Sequence, residues 1–175
     1  MRMTQTKWIL AASVMVLLSV AVADANDAGH APSVAEQIGG MQAMCAETAE
    51  ARAQRQAEKP LYDRLGGYDR IHEFTREVVR LHFENKALDR IMVGIDGDTL
   101  AKRVADFTAA GTGGPQTYTG RSMPAAHEHL HLTDADFLAA GGDIVKAMQT
   151  MGYGENEINE FVCILVSLKD QVILE

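Results

Sequence analysis

The sequence predicts an all-α domain, and three observations carry that prediction. From Leu61 onward apolar residues return every three or four positions, the spacing of one helix face. Glycine, proline and cap-forming residues cut that stretch into helix-length pieces. No segment alternates apolar and polar residues with the period of two that a half-buried strand needs.

The 175 residues, 47% apolar and 23% charged, suit one globular domain and exclude a disordered or collagen-like chain. Sixteen basic against 24 acidic residues leave a net charge of -8, which gives no electrostatic support to a nucleic-acid surface.

The N-terminal 25 residues stand apart. Trp8 to Ala23 is a 16-residue run of apolar residues and two serines, preceded by Arg2 and Lys7 and followed by Ala23-Asp24-Ala25. This is the order of a secretory signal peptide, with cleavage expected after Ala25. The alternative, a retained membrane anchor, needs roughly 20 apolar residues. Cleavage removes Arg2, Lys7 and Asp24, so the mature chain carries -9 and has no tryptophan. The expected location is the periplasm or the exterior, with no stable membrane insertion after cleavage.

Residues 26–60 read as a polar leader with at most one exposed helix, because Ala46 to Lys59 is too poor in large apolar side chains to build a core. Met41, Met44 and Cys45 offer a way to dock such a helix. The two cysteines, Cys45 and Cys163, are too few and too far apart for a CxxC metal knuckle or a CxxCH haem attachment. They form either a disulfide, suited to an exporting compartment, or two free thiols.

Residues 61–175 form the body. Ile71, Phe74, Val78 and His82 mark a helix from about Asp69 to Asn85, with Arg76, Glu77, Arg80 and Glu84 between them. A second helix from about Asp98 to Ala110 carries Leu100, Val104 and Phe107 on one face and ends at Gly111, Gly113, Gly114 and Pro115. Ser122 as N-cap and Pro124 in the first turn open a short helix containing His127. Thr133 and Asp136 form an acidic capping box for a helix to about Met151, in which Gly141 and Gly142 suggest close approach by a neighbour. The last helix, about Glu155 to Leu174, turns Ile158, Phe161, Val162, Leu165 and Val172 inward.

His127, His129 and His131 are the densest chemical signal. On a strand they would share a face and suit zinc or copper, but on a helix His129 points away from the other two. That leaves one functional histidine, or none.

The neighbouring residues bear on that choice. Leu61-Tyr62-Asp63-Arg64-Leu65-Gly66-Gly67, Gly113-Gly114-Pro115, Tyr118-Thr119-Gly120-Arg121-Ser122-Met123 and His127 closely resemble the group 1 truncated haemoglobins, over Leu61 to about Leu168. The resemblance implies two helices over two around a non-covalent haem b, with His127 ligating the iron through a neutral nitrogen. Large apolar residues for such a slot are at hand in Phe107, Met123, Phe137, Phe161 and Val162. By resemblance Phe107 lies against the haem on the distal side, Tyr118 and Met123 border it, and Lys102, Arg103 or Arg121 pairs with a propionate.

The departures from the family are specific. Positions where relatives carry a tyrosine and glutamines that donate hydrogen bonds to the gas are Val79, Leu100 and Val104 here, and a family phenylalanine pair is replaced by Ile91-Met92. Slow-release oxygen storage therefore loses its usual support. Arg103 stands where some relatives have an internal iron ligand; a guanidinium does not ligate iron, though it can donate a hydrogen bond. His82 falls on the apolar face of its helix, either as a satisfied core histidine or as an internal ligand. His72 lies one residue off that face.

The expected function is an exported, haem-binding truncated globin that takes up oxygen, nitric oxide or carbon monoxide, with an electron donor the sequence does not identify. The alternatives are a six-coordinate redox or gas-sensing haem module using His127 and His82, and a haem-free protein binding metal through His127, His129 and His131. Nitric oxide dioxygenation is the enzymatic activity that the class allows; the sequence commits to none.

Overall fold

The structure, a computed structural model, describes residues 31–174. The export signal expected over residues 1–25 lies outside the described residues. Those residues form nine α-helices joined by loops and two 3-10 turns.

The helices of the body begin where local chemistry starts them. α3 (Leu61–Arg64) is a single turn whose flanks, Leu61 and Leu65, are buried. α4 (Gly67–Glu84) follows Gly66, whose φ of 91° lies in the left-handed region that glycine enters without strain. After α5 (Asp89–Met92), the Asp96 carboxylate accepts a hydrogen bond from the Thr99 N–H at 2.8 Å and opens α6 (Gly97–Gly111). α7 (Met123–His127) starts at Ser122 with Pro124 in its first turn, as expected. α8 (Asp134–Thr150) has the Thr133–Asp136 capping box complete, and α9 (Glu155–Val172) closes the chain.

α4 lies along α6, α8 lies along α9, and α4 contacts α8, so two pairs of helices stack as layers. The contact between α4 and α6 is made by small residues. Ala101, Ala105 and Ala109 repeat every four positions on α6 and are fully buried, and the Thr75 hydroxyl on α4 donates to the Ala101 carbonyl at 2.9 Å. Without bulk at this seam the backbones approach closely. Gly114 serves the same end after α6, since a Cβ there would stand 2.5 Å from the Tyr62 ring and 2.7 Å from the Ala109 carbonyl oxygen.

Three expectations need correction. Residues 26–60 hold two helices in their described part, α1 (Val34–Glu47) and α2 (Ala49–Glu58), and α1 is docked on α8 and α9 with Ile38 buried. Of the two states left open for Cys45 and Cys163, the structure has the disulfide, across a sequence separation of 118 residues. α2 buries no residue, and polar contacts hold it: Arg55 pairs with Glu160 at 2.7 Å, and Gln56 accepts from the Leu61 N–H at 2.8 Å. Second, no atom lies within 4 Å of a Cβ placed on Gly141 or Gly142, so no neighbour crowds them; Gly141 faces a cavity and Gly142 faces solvent. Third, Val162 is only half-buried, and α9 buries Glu160 and Cys163 instead because α1, α2 and α3 engage that side.

Glu160 is the buried charge on which this side turns. Arg64 reaches both Glu160 and Glu157, the latter at 2.8 Å, and its guanidinium is held above its ordinary pKa because those carboxylates outweigh the burial that opposes its charge. Two arginines on one largely buried carboxylate satisfy it, and removing either would leave charge unpaired.

At the other end of the body, Asp136 ties the start of α8 to Arg90 on α5 while accepting from the Thr133 N–H at 2.8 Å. Burial pushes its carboxyl up, but Thr133 and Arg90 outweigh it and hold the group below the ordinary 3.8. A depressed carboxyl contributes stability that is present above 3.8 and lost as pH falls through the folded value. Asp136→Asn is therefore expected to be less stable than the parent at neutral pH, with the gap closing below about pH 4, as read from denaturant midpoints across pH. The double variant Cys45→Ser/Cys163→Ser is expected to lose about 3 to 5 kcal/mol, the constraint a loop of that length places on the unfolded chain. Reductant should reproduce that loss in the parent and leave the double variant unmoved.

Candidate functional site

Between the two layers lies a cavity of about 600 Å³, within the size range of cofactor sites. Its position follows from the seam just described. With alanines turned toward α4, the opposite face of α6 carries the long side chains Leu100, Arg103, Val104 and Phe107 to the cavity. α4 adds Phe74, Val78, Val79 and His82, and α5 adds Ile91 and Met92. The far wall comes from α8, with Phe137, Ala140 and Gly141, and from α9, with Phe161, Ile164, Leu165 and Leu168. Val162, expected among the apolar residues of the slot, is not part of its wall.

His127 closes α7 and lines the cavity. Its Nδ1 stands 2.8 Å from the Met123 carbonyl oxygen, one turn earlier on the same short helix. A carbonyl oxygen only accepts, so Nδ1 carries the proton and donates. In the neutral ring Nε2 then has a free lone pair, the state in which imidazole binds a metal. Ser122 and Pro124 set this geometry by fixing where α7 begins.

The other expected site residues also meet at this cavity: Phe107, Tyr118, Met123, Val79, Leu100, Val104 and Arg103 all line it. Tyr118 packs its ring edge-on to Phe107 with centroids 5.2 Å apart, and its hydroxyl donates to the Arg121 carbonyl at 3.0 Å. That bond commits the hydroxyl to the loop. Arg103 and Arg121 are exposed at the cavity rim and have no ion-pair partner among the described residues. Lys102, offered as a propionate partner, is off the wall and pairs with Asp106 at 2.7 Å.

The three histidines of the 127–131 segment do not converge. His129 sits in the 3-10 turn Glu128–Leu130, His131 has a left-handed φ of 48°, and no group of three potential metal ligands forms among the described residues. His82, by contrast, is both on the cavity wall and hydrogen-bonded: its Nδ1 is 2.9 Å from Asp143 Oδ2, which also accepts from Asn85 Nδ2 at 3.0 Å. Sequence reasoning missed Asp143, which lies on another helix 61 residues away. His72 stacks on Tyr68 and takes no part in the cavity.

Comparison with known proteins agrees with this layout. The group 1 truncated hemoglobin GlbN of Mycolicibacterium paratuberculosis is 23% identical over 122 residues, covering 70% of this chain and 90% of the relative. The group 1 truncated hemoglobin of Tetrahymena pyriformis is 24% identical over 100 residues, covering 57% and 83%. Among solved structures, the 2/2 hemoglobin from Synechococcus sp. PCC 7002, in the cyanomet state with covalently attached heme, superposes with a TM-score of 0.61 at 28% identity, covering 65% of this chain and 98% of that one. The Fe(III) form of the Tetrahymena pyriformis truncated hemoglobin gives a TM-score of 0.62 at 20% identity, covering 67% and 100%, a likeness of fold. The two-over-two arrangement of α4 and α6 with α8 and α9 is thus the fold of the truncated haemoglobins. With the bacterial-like globin family matching residues 60–173, from the turn before α3 to the end of α9, the chain belongs to that family.

Proposed function

We propose that this protein holds a haem in the cavity through His127 and reversibly binds a diatomic gas, oxygen, nitric oxide or carbon monoxide, on the side walled by Val79, Leu100, Val104 and Phe107. The observation that carries the reading is the bond from His127 Nδ1 to the Met123 carbonyl, which prepares Nε2 as a neutral ligand inside an apolar cavity. Haem, when bound, supplies the iron at which the gas is taken up.

The residues present fit that group. The cavity is large and mainly apolar, one imidazole is oriented by its own helix, and Arg103 and Arg121 at the rim would pair with the carboxylates of a haem. Attachment is non-covalent in this reading, since both cysteines are spent in the disulfide and no thiol is left to bond a haem. The same disulfide supports export, because such bonds persist in oxidising compartments.

What the chain does to the gas follows from what its wall lacks. Oxygen gains negative charge on binding and is retained by hydrogen-bond donors. Val79, Leu100 and Val104 have none to offer, and the Tyr118 hydroxyl is engaged by Arg121. Fast oxygen release is the result, whereas carbon monoxide depends less on such donors.

The test is the absorption spectrum of the haem-reconstituted protein, ferric, ferrous and with carbon monoxide, against His127→Ala. The alanine variant is expected to lose the native spectrum; its persistence would refute the assignment. Val104→Gln places a donor on the gas side and is expected to slow oxygen dissociation about tenfold, the worth of one hydrogen bond of about 1.4 kcal/mol. An unchanged rate would show that the gas lies elsewhere.

A further inference from the structure

The cavity contains a second imidazole prepared in the same way as the first. His82 enters from α4 and His127 from α7, which packs on α9, so the two approach from opposite layers of the fold. In each, Nδ1 faces an oxygen acceptor: the Met123 carbonyl for His127 and the Asp143 carboxylate for His82, at 2.8 and 2.9 Å. His82 and Asp143 are only 15% and 13% exposed, so this pair is shielded from solvent.

The consequence lies in the tautomer. In the neutral ring, a carboxylate that holds Nδ1–H leaves Nε2 with a free lone pair and no hydrogen-bond partner among the described residues, on a side chain that lines the mainly apolar cavity. A neutral imidazole in that state is an acceptor. It does not replace the missing donors at Val79, Leu100 and Val104, but it has what a metal ligand needs. Asn85 donates to the same carboxylate oxygen and holds Asp143 in place.

We infer that His82, positioned by Asp143, is an internal ligand that occupies the gas-binding side of the haem iron when no gas is present, so that gas binds by displacing it. This rests on His127 as the first ligand. Gas uptake is then governed by release of His82, and selection among gases by how well each competes with an imidazole. The device uses α4, and leaves Arg103 on α6 at the rim.

The experiment uses the full chain reconstituted with haem, in the ferrous state without gas and then on rapid mixing with carbon monoxide. The parent is expected to show sharp, split visible bands, and its binding rate to level off as carbon monoxide is raised. His82→Leu should give one broad band and a rate proportional to carbon monoxide. Asp143→Asn should lower the six-coordinate to five-coordinate ratio 10- to 100-fold, the usual effect of losing an outer partner of a metal-binding histidine. A parent with one broad band, or a His82→Leu protein that keeps the split bands, overturns the inference. If His82→Leu does not fold, an unchanged ratio in Asp143→Asn overturns it. A five-coordinate parent whose spectrum is still lost in His127→Ala would refute His82 alone and leave His127 in place.

Discussion

The cavity exists because α6 presses its smallest side chains against α4. Ala101, Ala105 and Ala109 give up bulk at that seam, and the Thr75 hydroxyl bonds the Ala101 carbonyl across it. Each helix then turns its larger residues toward α8 and α9: Val79 and His82 from one, Leu100, Val104 and Phe107 from the other. A larger residue in the seam would push the helices apart and shift two walls at once, because cores are packed too densely to absorb the change locally. The chemistry of the site therefore rests on residues with no chemistry of their own.

The seam also explains what the sequence disclosed. The body helices were legible because their apolar spacing and their caps agree; Ser122, Pro124, Thr133 and Asp136 all act where their residue types place them. Resemblance to the truncated haemoglobins points to His127 among three histidines, and His127 is the one of the three with a side-chain hydrogen bond among the described residues, to the Met123 carbonyl. The N-terminal helices are legible only in part, as one helix with Met41, Met44 and Cys45 to dock it, for the converse reason. α1 buries Ile38 alone, α2 buries nothing, and both are held by groups more than 100 residues distant, Cys163 and Glu160. Local patterning does not record an anchor of that kind. Gly141 escapes sequence reasoning because a glycine facing a cavity and a glycine crowded by a helix look alike in sequence.

α9 has work on both sides. One side supplies Phe161, Ile164, Leu165 and Leu168 to the cavity; the other receives the disulfide to α1 and the arginines Arg55 and Arg64 on Glu160. The extension thus bears on the site without touching it, by holding one wall from behind. The polar character of these contacts suits segments that carry too little apolar surface to dock by burial alone.

That arrangement has a consequence for how the cavity is filled. A wall held only by its ligand collapses when the ligand is absent, and binding must then rebuild it at an entropic cost. Here a covalent link from Cys45 to Cys163 restrains α9 independently of anything between the layers. α9 therefore owes its position to the chain's own covalent link and ion pairs, and that wall of the cavity needs less ordering from whatever fills it.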